Sequence, residues 1–228
     1  MMRDGPPGLP APLPPSLSAR QIAHRLTASL APGHAPSLYP STTPDSTGLP
    51  EELDAPPPPG ETEAGTGLRR AAVLVPVVLG EAPAVMLTLR AATLSAHAGQ
   101  VALPGGRIEA GETPEAAALR EAAEEVGLDP RLPQVLGRLP PHVTGTGYHV
   151  VPVVALLRPP FTVTPDAAEV AEIFEYPLAR LLDPAEPQRL TRLVEGRERT
   201  FWVWPHEQHL VWGATAAILR NLALLLRG

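Results

Sequence analysis

The 228-residue chain contains no cysteine and no lysine, and all 18 of its basic residues are arginine. The absence of cysteine excludes disulfide bonds, thiolate nucleophiles and cysteine zinc sites. The absence of lysine excludes a Schiff-base lysine and the lysine of a phosphate-binding P-loop. A formal net charge of −6 gives no general attraction to nucleic acid or to an anionic membrane. Any anionic ligand must therefore be bound by local features.

We expect neither a secretory signal nor a membrane span. Its N-terminus, MMRDGPPGLPAPLPPSLSAR, contains no proline-free apolar run of the kind that directs export. Near the C-terminus, Arg220 and Asn221 interrupt the run WGATAAILRNLALLLRG before it reaches the length of about 20 residues that a membrane span needs. We expect a cytoplasmic protein in which this run forms a terminal helix packed on the domain.

Residues 1–67 contain fifteen of the 31 prolines and few large apolar side chains. Such a composition buries too little surface to offset the conformational entropy of the chain. We predict a mobile, disordered proline-rich head over residues 1–17, and a short helix followed by a flexible linker over residues 18–67. An extended head of this kind is also a candidate for recruiting a partner.

One segment of this region has helical character. Ser18 is a suitable N-cap, and Ile22, Leu26 and Leu30 follow at a spacing of four residues, which places them on one face of a helix. We therefore predict a helix over residues 18–30 that docks on the domain.

Residues 68–228 are predicted to form one α+β domain. The apolar runs RRAAVLVPVVLG and PAVMLTLR, separated by GEAP, indicate a hairpin of buried strands. Further strands are predicted in VALPGG, QVLGRLPPH and HVVPVVALLRP, and on either side of EGRER. Because strands outnumber helices, we expect a mixed β-sheet sandwiched between helices.

The segment LPGGRIEAGETPEAAALREAAEEVGL, residues 103–128, predicts a helix with clear ends. Thr113 is a good N-cap, Pro114 suits the first helical position, and Gly127 can end the helix in a left-handed conformation. The helix is therefore predicted over residues 114–126. Its buried face is predicted to contain Leu119, Ala122, Ala123 and Val126.

Glu121, Glu124 and Glu125 share one face near the C-terminus of this helix, so their carboxylates are expected to converge. Acids on a helix are most often a solvated face, but this end is unfavourable, because the helix dipole and the repulsion between neighbouring acids both cost stability. A hard divalent cation would offset that cost, since Mg²⁺ binds carboxylate oxygens. The pattern therefore predicts a site for Mg²⁺ or Mn²⁺.

The spacing Gly106, five residues, Glu112, seven residues and REAAEEVGL resembles the Nudix box. The resemblance implies a Nudix-type sheet and helix arrangement and a metal-dependent pyrophosphohydrolase that acts on a nucleoside diphosphate linked to another group. One position differs, because Ala122 stands where the box usually has a larger aliphatic residue, which indicates tighter packing.

The resemblance also implies roles for the residues of the box. It implies that Arg120 and Glu112 form a structural pair, for which an ordinary surface salt bridge is the alternative. Glu121 is our first choice for the general base, and Glu169 and Glu172 are the alternatives, unless they lie on a solvated loop or helix. The implied metal ligands are the carbonyl of Gly106 and the carboxylates of Glu121, Glu124 and Glu125.

Residues 86–106, MLTLRAATLSAHAGQVALPGG, resemble the segment that precedes the box in the coenzyme A pyrophosphatase branch of the family. Ser95 and Leu103 differ from that branch, where arginine and phenylalanine are common, and the missing arginine weakens part of the anion-binding assignment. The likeness covers about residues 68–219. The matching positions are Thr88, Arg90, His97, Gly99, Gln100, Val101 and Ala102.

This resemblance implies hydrolysis of coenzyme A or a derivative to 3′,5′-ADP and a 4′-phosphopantetheine species. A pyrophosphatase for ADP-ribose or another nucleotide sugar is the alternative within the family, and a non-catalytic nucleotide-binding module is the alternative of another class. We expect a small-molecule substrate, no nucleic-acid or membrane partner, and leave a homodimer open.

Coenzyme A carries several phosphates, and a site for it needs cationic donors. For each arginine or histidine that we propose for this role, an ordinary surface or structural side chain is the alternative. In HEQH, residues 206–209, the histidines do not have the H-E-x-x-H zinc spacing, so we predict no metal site there. The candidate substrate-binding residues are Arg69, Arg70, Arg90, His97 and Arg107.

Overall fold

The computed structural model describes residues 17–30, 67–94, 97–194 and 197–227. Nearly all of the predicted head and of the predicted linker lies outside the described residues. The helices are α1 (Ala19–Ser29), α2 (Pro114–Val126), α3 (Leu178–Leu181) and α4 (Gly213–Arg227). The strands are β1 (Arg69–Val78), β2 (Ala84–Arg90), β3 (Val101–Ala102), β4 (Gly105–Arg107), β5 (Gln134–Arg138), β6 (His142–Val143), β7 (Tyr148–Leu157), β8 (Val170–Pro177), β9 (Gln188–Val194), β10 (Arg197–Pro205) and β11 (Leu210–Val211).

The main sheet is mixed, as the sequence predicts. β1 and β7 run parallel along their whole length, from the pair Arg69 and Tyr148 to the pair Val78 and Leu157. The predicted hairpin of β1 and β2 pairs only at its closed end, because β4 occupies the other end of β1 and β3 pairs with the far end of β2. β8 forms the outer edge beside β2, and β5 and β6 pair with β7. Strands β9 to β11 form a separate three-stranded sheet.

Helices cover both faces of the main sheet. Along β1, Val75 and Val77 face a core that includes the apolar sides of α1 and α4, which we name the α4 face. Leu74 and Val78 face the opposite core, built with Ala118 and other apolar residues of α2, which we name the α2 face. Because successive residues of a strand point to opposite faces of the sheet, the position of a residue in β1 determines which of the two cores it faces.

Helix α1 forms where the sequence predicts it and is part of the core. Ser18 and Gln21 form a capping box, in which the Gln21 amide donates to the Ser18 hydroxyl at 3.3 Å. Ile22 and Leu26 are fully buried. Arg25 donates to the carbonyl of Leu226, which ties α1 to the last turn of α4.

The acidic segment DAAEVAEIFEYPL folds mainly as a strand, so the alternative of a solvated loop or helix holds for Glu169, in the exposed turn before it, and not for Glu172. β8 covers Val170–Pro177 and pairs with β2 through its length. Ile173 packs with the core of the α2 face, whereas Phe174 and Tyr176 belong to the core of the α4 face. The β-branched and aromatic side chains of Val170, Ile173, Phe174 and Tyr176 were the signal for a strand.

The closing helix α4 lies against the domain, with Leu219 and Leu222 fully buried. No helix among the described residues combines the length and the apolar character that crossing a bilayer requires.

Candidate active site

Helix α2 has the ends that the sequence predicts. The Thr113 hydroxyl accepts a hydrogen bond from the Ala116 amide at 3.2 Å, and Gly127 ends the helix with φ 62°. The buried face is turned relative to the prediction, since Glu125 is buried while Leu119 and Ala123 are only partly buried. The helix therefore directs an ionisable side chain against the sheet.

The glycines of LPGG, Gly105 and Gly106, form the backbone against which the glutamates of α2 pack. The amide of Gly105 donates to Oε2 of Glu125 at 3.1 Å. A Cβ on Gly105 would overlap the carbonyl oxygen of Ala72, so glycine is required for the close approach of β4 to β1. A Cβ on Gly106 would overlap the carboxylate of Glu121. The two glycines thus let the carboxylates of α2 approach the backbone of β4.

Arg120 joins Glu112 to two of the three glutamates near the end of α2. Its Nε and Nη2 donate to the two oxygens of Glu112 at 3.0 and 3.1 Å, so the predicted pair is formed. Nη2 also donates to the carbonyl of Arg107 at 3.0 Å. Nη1 donates to Glu121 at 2.9 Å and to Glu124 at 3.1 Å. The hydrogen bond from Arg120 lowers the pKa of Glu112 below its usual value.

The three glutamates of α2 have different environments. The exposed fraction of the side chain is 6% for Glu125, 17% for Glu121 and 60% for Glu124. Burial raises the pKa of Glu125 to about 7 and also raises the pKa of Glu121. Among the described side chains, the cation that pairs with Glu125 is Arg90, whose Nη1 lies 3.9 Å from Oε1. A buried carboxylate without a hydrogen-bonded cation is poorly compensated, which favours a cationic ligand.

The donors present fit a hard divalent cation by chemistry. Carboxylate oxygens are the ligands that Mg²⁺ and Mn²⁺ prefer. As they stand, no group of three or more acidic or histidine side chains in the described parts of the chain is arranged to hold a metal ion. Arg120 lies between Glu121 and Glu124, and Glu125 is turned to Gly105 and Arg90. The predicted convergence of three carboxylates is therefore incomplete.

The two alternative candidates for the base lie on different sides of the sheet. Glu169, in the turn before β8, is exposed and close enough that its charge raises the pKa of Glu121 and Glu125. Glu172 pairs in register with Leu89, on the α4 face, and its Oε2 lies 3.1 Å from Nε2 of His209. Only Glu169 faces the carboxylates of α2.

This placement gives a matched pair of variants. We expect Glu169→Gln to lower kcat by about 100-fold if Glu169 is the general base, because the proton of the attacking water then has no acceptor. Glu172→Gln, three residues away, should change kcat by less than about threefold. Steady-state kinetics of both variants check this, and normal kcat in both would leave Glu121 as the base.

Of the predicted substrate-binding residues, Arg90 is the one that contacts a glutamate of α2. It is paired in register with Val170, which belongs to the core of the α2 face. The loop after β2 closes on it, because the Arg90 amide donates to the Gln100 carbonyl at 3.0 Å. In the same loop, Nδ1 of His97 lies 2.9 Å from the Gln100 side-chain oxygen.

The other three arginines lie at the start of β1 and on β4. Arg69 donates to the Thr146 carbonyl at 2.7 Å and lies 4.2 Å from the ring centroid of Tyr148, so it fastens the turn before β7. Arg107, on β4, pairs in register with Ala71 of β1, and Arg70 is the residue before Ala71 on β1. Phosphate binding by Arg69, Arg70 and Arg107 stays a prediction.

The HEQH segment forms an aromatic cluster on the α4 face. The rings of His206 and His209 stack with centroids 5.5 Å apart, and each lies within 5 Å of Phe174, at 4.9 and 4.7 Å. The cluster packs β8 against the loop before β11.

The NUDIX domain matches residues 68–200, which is more than half of the chain. The chain belongs to the Nudix family. A relative from Photorhabdus laumondii, named "Uncharacterized Nudix hydrolase NudL", is 42% identical over 173 residues and covers 75% of this chain and 91% of its own length. A protein of the same name from Escherichia coli strain K12 is 43% identical over 157 residues, with coverages of 68% and 82%. The chain is therefore a Nudix pyrophosphohydrolase, and enzymes of this family generally use divalent metals such as Mg²⁺ or Mn²⁺.

Solved Nudix structures are also similar, at a lower level. The Mycobacterium smegmatis Nudix hydrolase RenU is 30% identical, covers 49% of this chain and 71% of its own, and has a TM-score of 0.40. The binary complex of a C. elegans Ap4A hydrolase is 21% identical, with coverages of 47% and 80% and a TM-score of 0.42. Likenesses at this level do not specify a substrate.

Two parts of the Nudix site were missed by sequence reasoning. The first is the contact of Arg90 with Glu125, and the second is the hydrogen bond from Gly105 to the same carboxylate. The alternation along β2 was a signal for the first, because Met86 is apolar and Arg90 lies four residues later on the same side. The sequence contained no signal for the second.

Proposed function

We propose that this Nudix hydrolase cleaves the pyrophosphate of coenzyme A or a derivative, giving 3′,5′-ADP and a 4′-phosphopantetheine species. The observation that carries the proposal is the position of Arg90. It belongs to the segment that resembles the coenzyme A pyrophosphatase branch, and its guanidinium lies 3.9 Å from the buried Glu125 of the box. The branch-like segment thus supplies a cation at the carboxylates, where a substrate phosphate would bind.

The residues of the site suit hydrolysis of a pyrophosphate. The metal implied by the family would be held by Glu121, Glu124 and Glu125 with the carbonyl of Gly106, and when bound it supplies charge neutralisation and activation of water. Arg120 is anchored beside the carboxylates by its hydrogen bonds to Glu112, and Arg90 offers a donor to a phosphate oxygen. Glu121 or Glu169 accepts the proton as the water oxygen attacks phosphorus and the bridging P–O bond breaks. One water is consumed, and its oxygen ends on one of the two phosphate products.

The substitution Arg90→Gln tests whether the guanidinium beside Glu125 contributes to cleavage of coenzyme A. We expect kcat/KM for coenzyme A to fall by about 100-fold, because a charged hydrogen-bond donor to the phosphates is lost. The control is Arg131→Gln, since the side chain of Arg131 is 87% exposed and its ion-pair partner is Asp129, in the segment that follows α2, rather than a glutamate of the box. The control should stay within about twofold of the original enzyme. Equal, small effects of the two substitutions would remove the support that Arg90 gives.

Substrate ranking separates coenzyme A from the alternative within the family. We expect coenzyme A to be cleaved faster than dephospho-coenzyme A, because the 3′-phosphate adds an anionic group for arginine to bind. ADP-ribose should be slower than both. Brisk cleavage of ADP-ribose with equal, poor cleavage of the two coenzyme A forms would make the enzyme an ADP-ribose or nucleotide-sugar pyrophosphatase.

A further inference from the structure

The guanidinium of Arg120 has no spare donor. A guanidinium carries five N–H groups, and those of Arg120 make five hydrogen bonds. Three of them go to Glu112 and to the Arg107 carbonyl, which are outside the set of expected carboxylate ligands. The other two, both from Nη1, go to Glu121 and Glu124, which are inside it.

Arg90 is held much less firmly than Arg120. Its Nη1 lies 3.9 Å from Glu125, which is an ion-pair distance and too long for a hydrogen bond. Its Nε is buried and has no hydrogen-bond partner in the described parts of the chain. An unsatisfied buried N–H favours any arrangement in which the guanidinium moves to an acceptor. The side chain is 25% exposed, so such a movement has an open side.

We propose that Arg120 and Arg90 are the resident counter-cations of the metal-free carboxylates, and that a divalent metal binds by replacing them. The carboxylates of Glu121 and Glu124 turn away from Nη1 of Arg120, while its Nε and Nη2 keep Glu112 and the Arg107 carbonyl. Arg90 leaves Glu125 and turns toward the open side. The exchange itself does not depend on the substrate; the final use of Arg90, as a donor to a phosphate, rests on the proposed function.

The difference between the two arginines follows from their contacts. A metal ion at Glu121 and Glu124 would repel a guanidinium that donates to the same oxygens. Arg120 stays because its three other hydrogen bonds do not involve those carboxylates. Arg90 has Glu125 as its only ion-pair partner among the described residues, so metal on that carboxylate releases it. Arg120 is therefore a positioning residue, and Arg90 is the cation that metal binding makes available.

Arginine side-chain NMR tests the exchange at Arg120 on the full chain without relying on activity. In ¹⁵N-labelled protein, Arg120→Lys and Arg90→Gln assign the two sets of guanidinium signals. We expect slowly exchanging Nη1 protons of Arg120 in the metal-free protein, and their loss or averaging when Mg²⁺ is added, with the Nε–H signal retained. Calorimetry on the same sample establishes that Mg²⁺ is bound. Nη1 signals that stay unchanged at saturating Mg²⁺ would overturn the proposal.

Mn²⁺ binding without substrate tests Arg90. The free Mn²⁺ signal in electron paramagnetic resonance gives the Kd, and we expect Arg90→Gln to bind Mn²⁺ about three- to tenfold more tightly, since a competing cation is gone. Arg90→Lys keeps the charge and should restore the original Kd, while Arg131→Gln should leave it unchanged. Unchanged or weaker binding by a folded Arg90→Gln variant would refute the role of Arg90. Because no substrate is present, failure of the coenzyme A assignment would leave these results intact.

Discussion

Glu125→Gln is expected to lower turnover by about 1,000-fold while the protein stays folded. The substitution removes one of the expected metal ligands and keeps the size of the side chain, and the glutamine oxygen can still accept the hydrogen bond from the Gly105 amide, which is 3.1 Å from Glu125. Glu115→Gln is the matched control, because Glu115 lies on the first turn of the same helix and pairs with Arg138 instead. Its turnover should stay within about threefold.

The same variant should be more stable than the original protein when no metal is present. Burial raises the pKa of Glu125 to about 7 in the folded chain, above its usual value of 4.5. An acid with a raised folded-state pKa destabilises the fold above that pKa, and the loss disappears as pH falls toward the unfolded value. Removing the charge should therefore add about 1 to 3 kcal/mol to the free energy of unfolding at pH 8, and much less near pH 5.

Denaturant unfolding of the metal-free proteins at pH 8 and pH 5 measures this difference. Lower turnover and higher stability of Glu125→Gln are expected together, because the buried charge that binds a metal ion also destabilises the fold when no metal is present. Near-normal turnover, or a variant that loses stability at pH 8, would contradict the role of Glu125 as a buried, charged metal ligand.

Deletion of residues 1–30 is expected to destabilise the enzyme strongly. The deletion removes α1 and exposes the surface that Ile22 and Leu26 cover; both are fully buried, and Leu30 is 7% exposed. Burying one such side chain stabilises a fold by about 1.5 to 3 kcal/mol, so three amount to about 5 kcal/mol or more. That is comparable with the whole stability of many domains. We expect a fall in Tm of more than about 10 °C, or insoluble protein.

Deletion of residues 1–15 is the control, because it leaves Ser18 and the capping box of α1 intact. Its Tm should equal that of the full chain. Leu26→Ala gives a milder version of the same test, with an expected loss of about 2 to 5 kcal/mol. If deletion of residues 1–30 leaves Tm within about 3 °C, the packing of α1 on α4 is not part of the stable fold.

Local signals predicted most of helix α2 and its surroundings. Thr113, Pro114 and Gly127 defined both ends of the helix, because capping depends on neighbouring residues alone. The pair of Arg120 with Glu112 was implied by the resemblance to the Nudix box, and the structure contains it. Such features can be predicted because the residues that determine them are close in the sequence.

Features that depend on distant parts of the chain were harder to predict. The buried face of α2 is shifted by about one residue from the predicted face, because Glu125 accepts a hydrogen bond from the Gly105 amide of β4 and is buried there. The parallel pairing of β1 with β7 joins residues about 80 positions apart, and no local pattern specifies it. Arg90 stood among five equivalent candidates until the register of β2 with β8 placed it at the α2 face.

The central claim is that the carboxylates of α2 support metal-dependent cleavage of the coenzyme A pyrophosphate. The most direct measurement is product analysis by chromatography after incubating the full chain with coenzyme A, with Mg²⁺ or Mn²⁺ and again with a chelator. We predict stoichiometric 3′,5′-ADP and 4′-phosphopantetheine with metal and neither product with chelator. Intact coenzyme A under every condition, in an enzyme that cleaves ADP-ribose or a dinucleoside polyphosphate, would contradict the substrate assignment; inactivity on all of them would contradict catalysis itself.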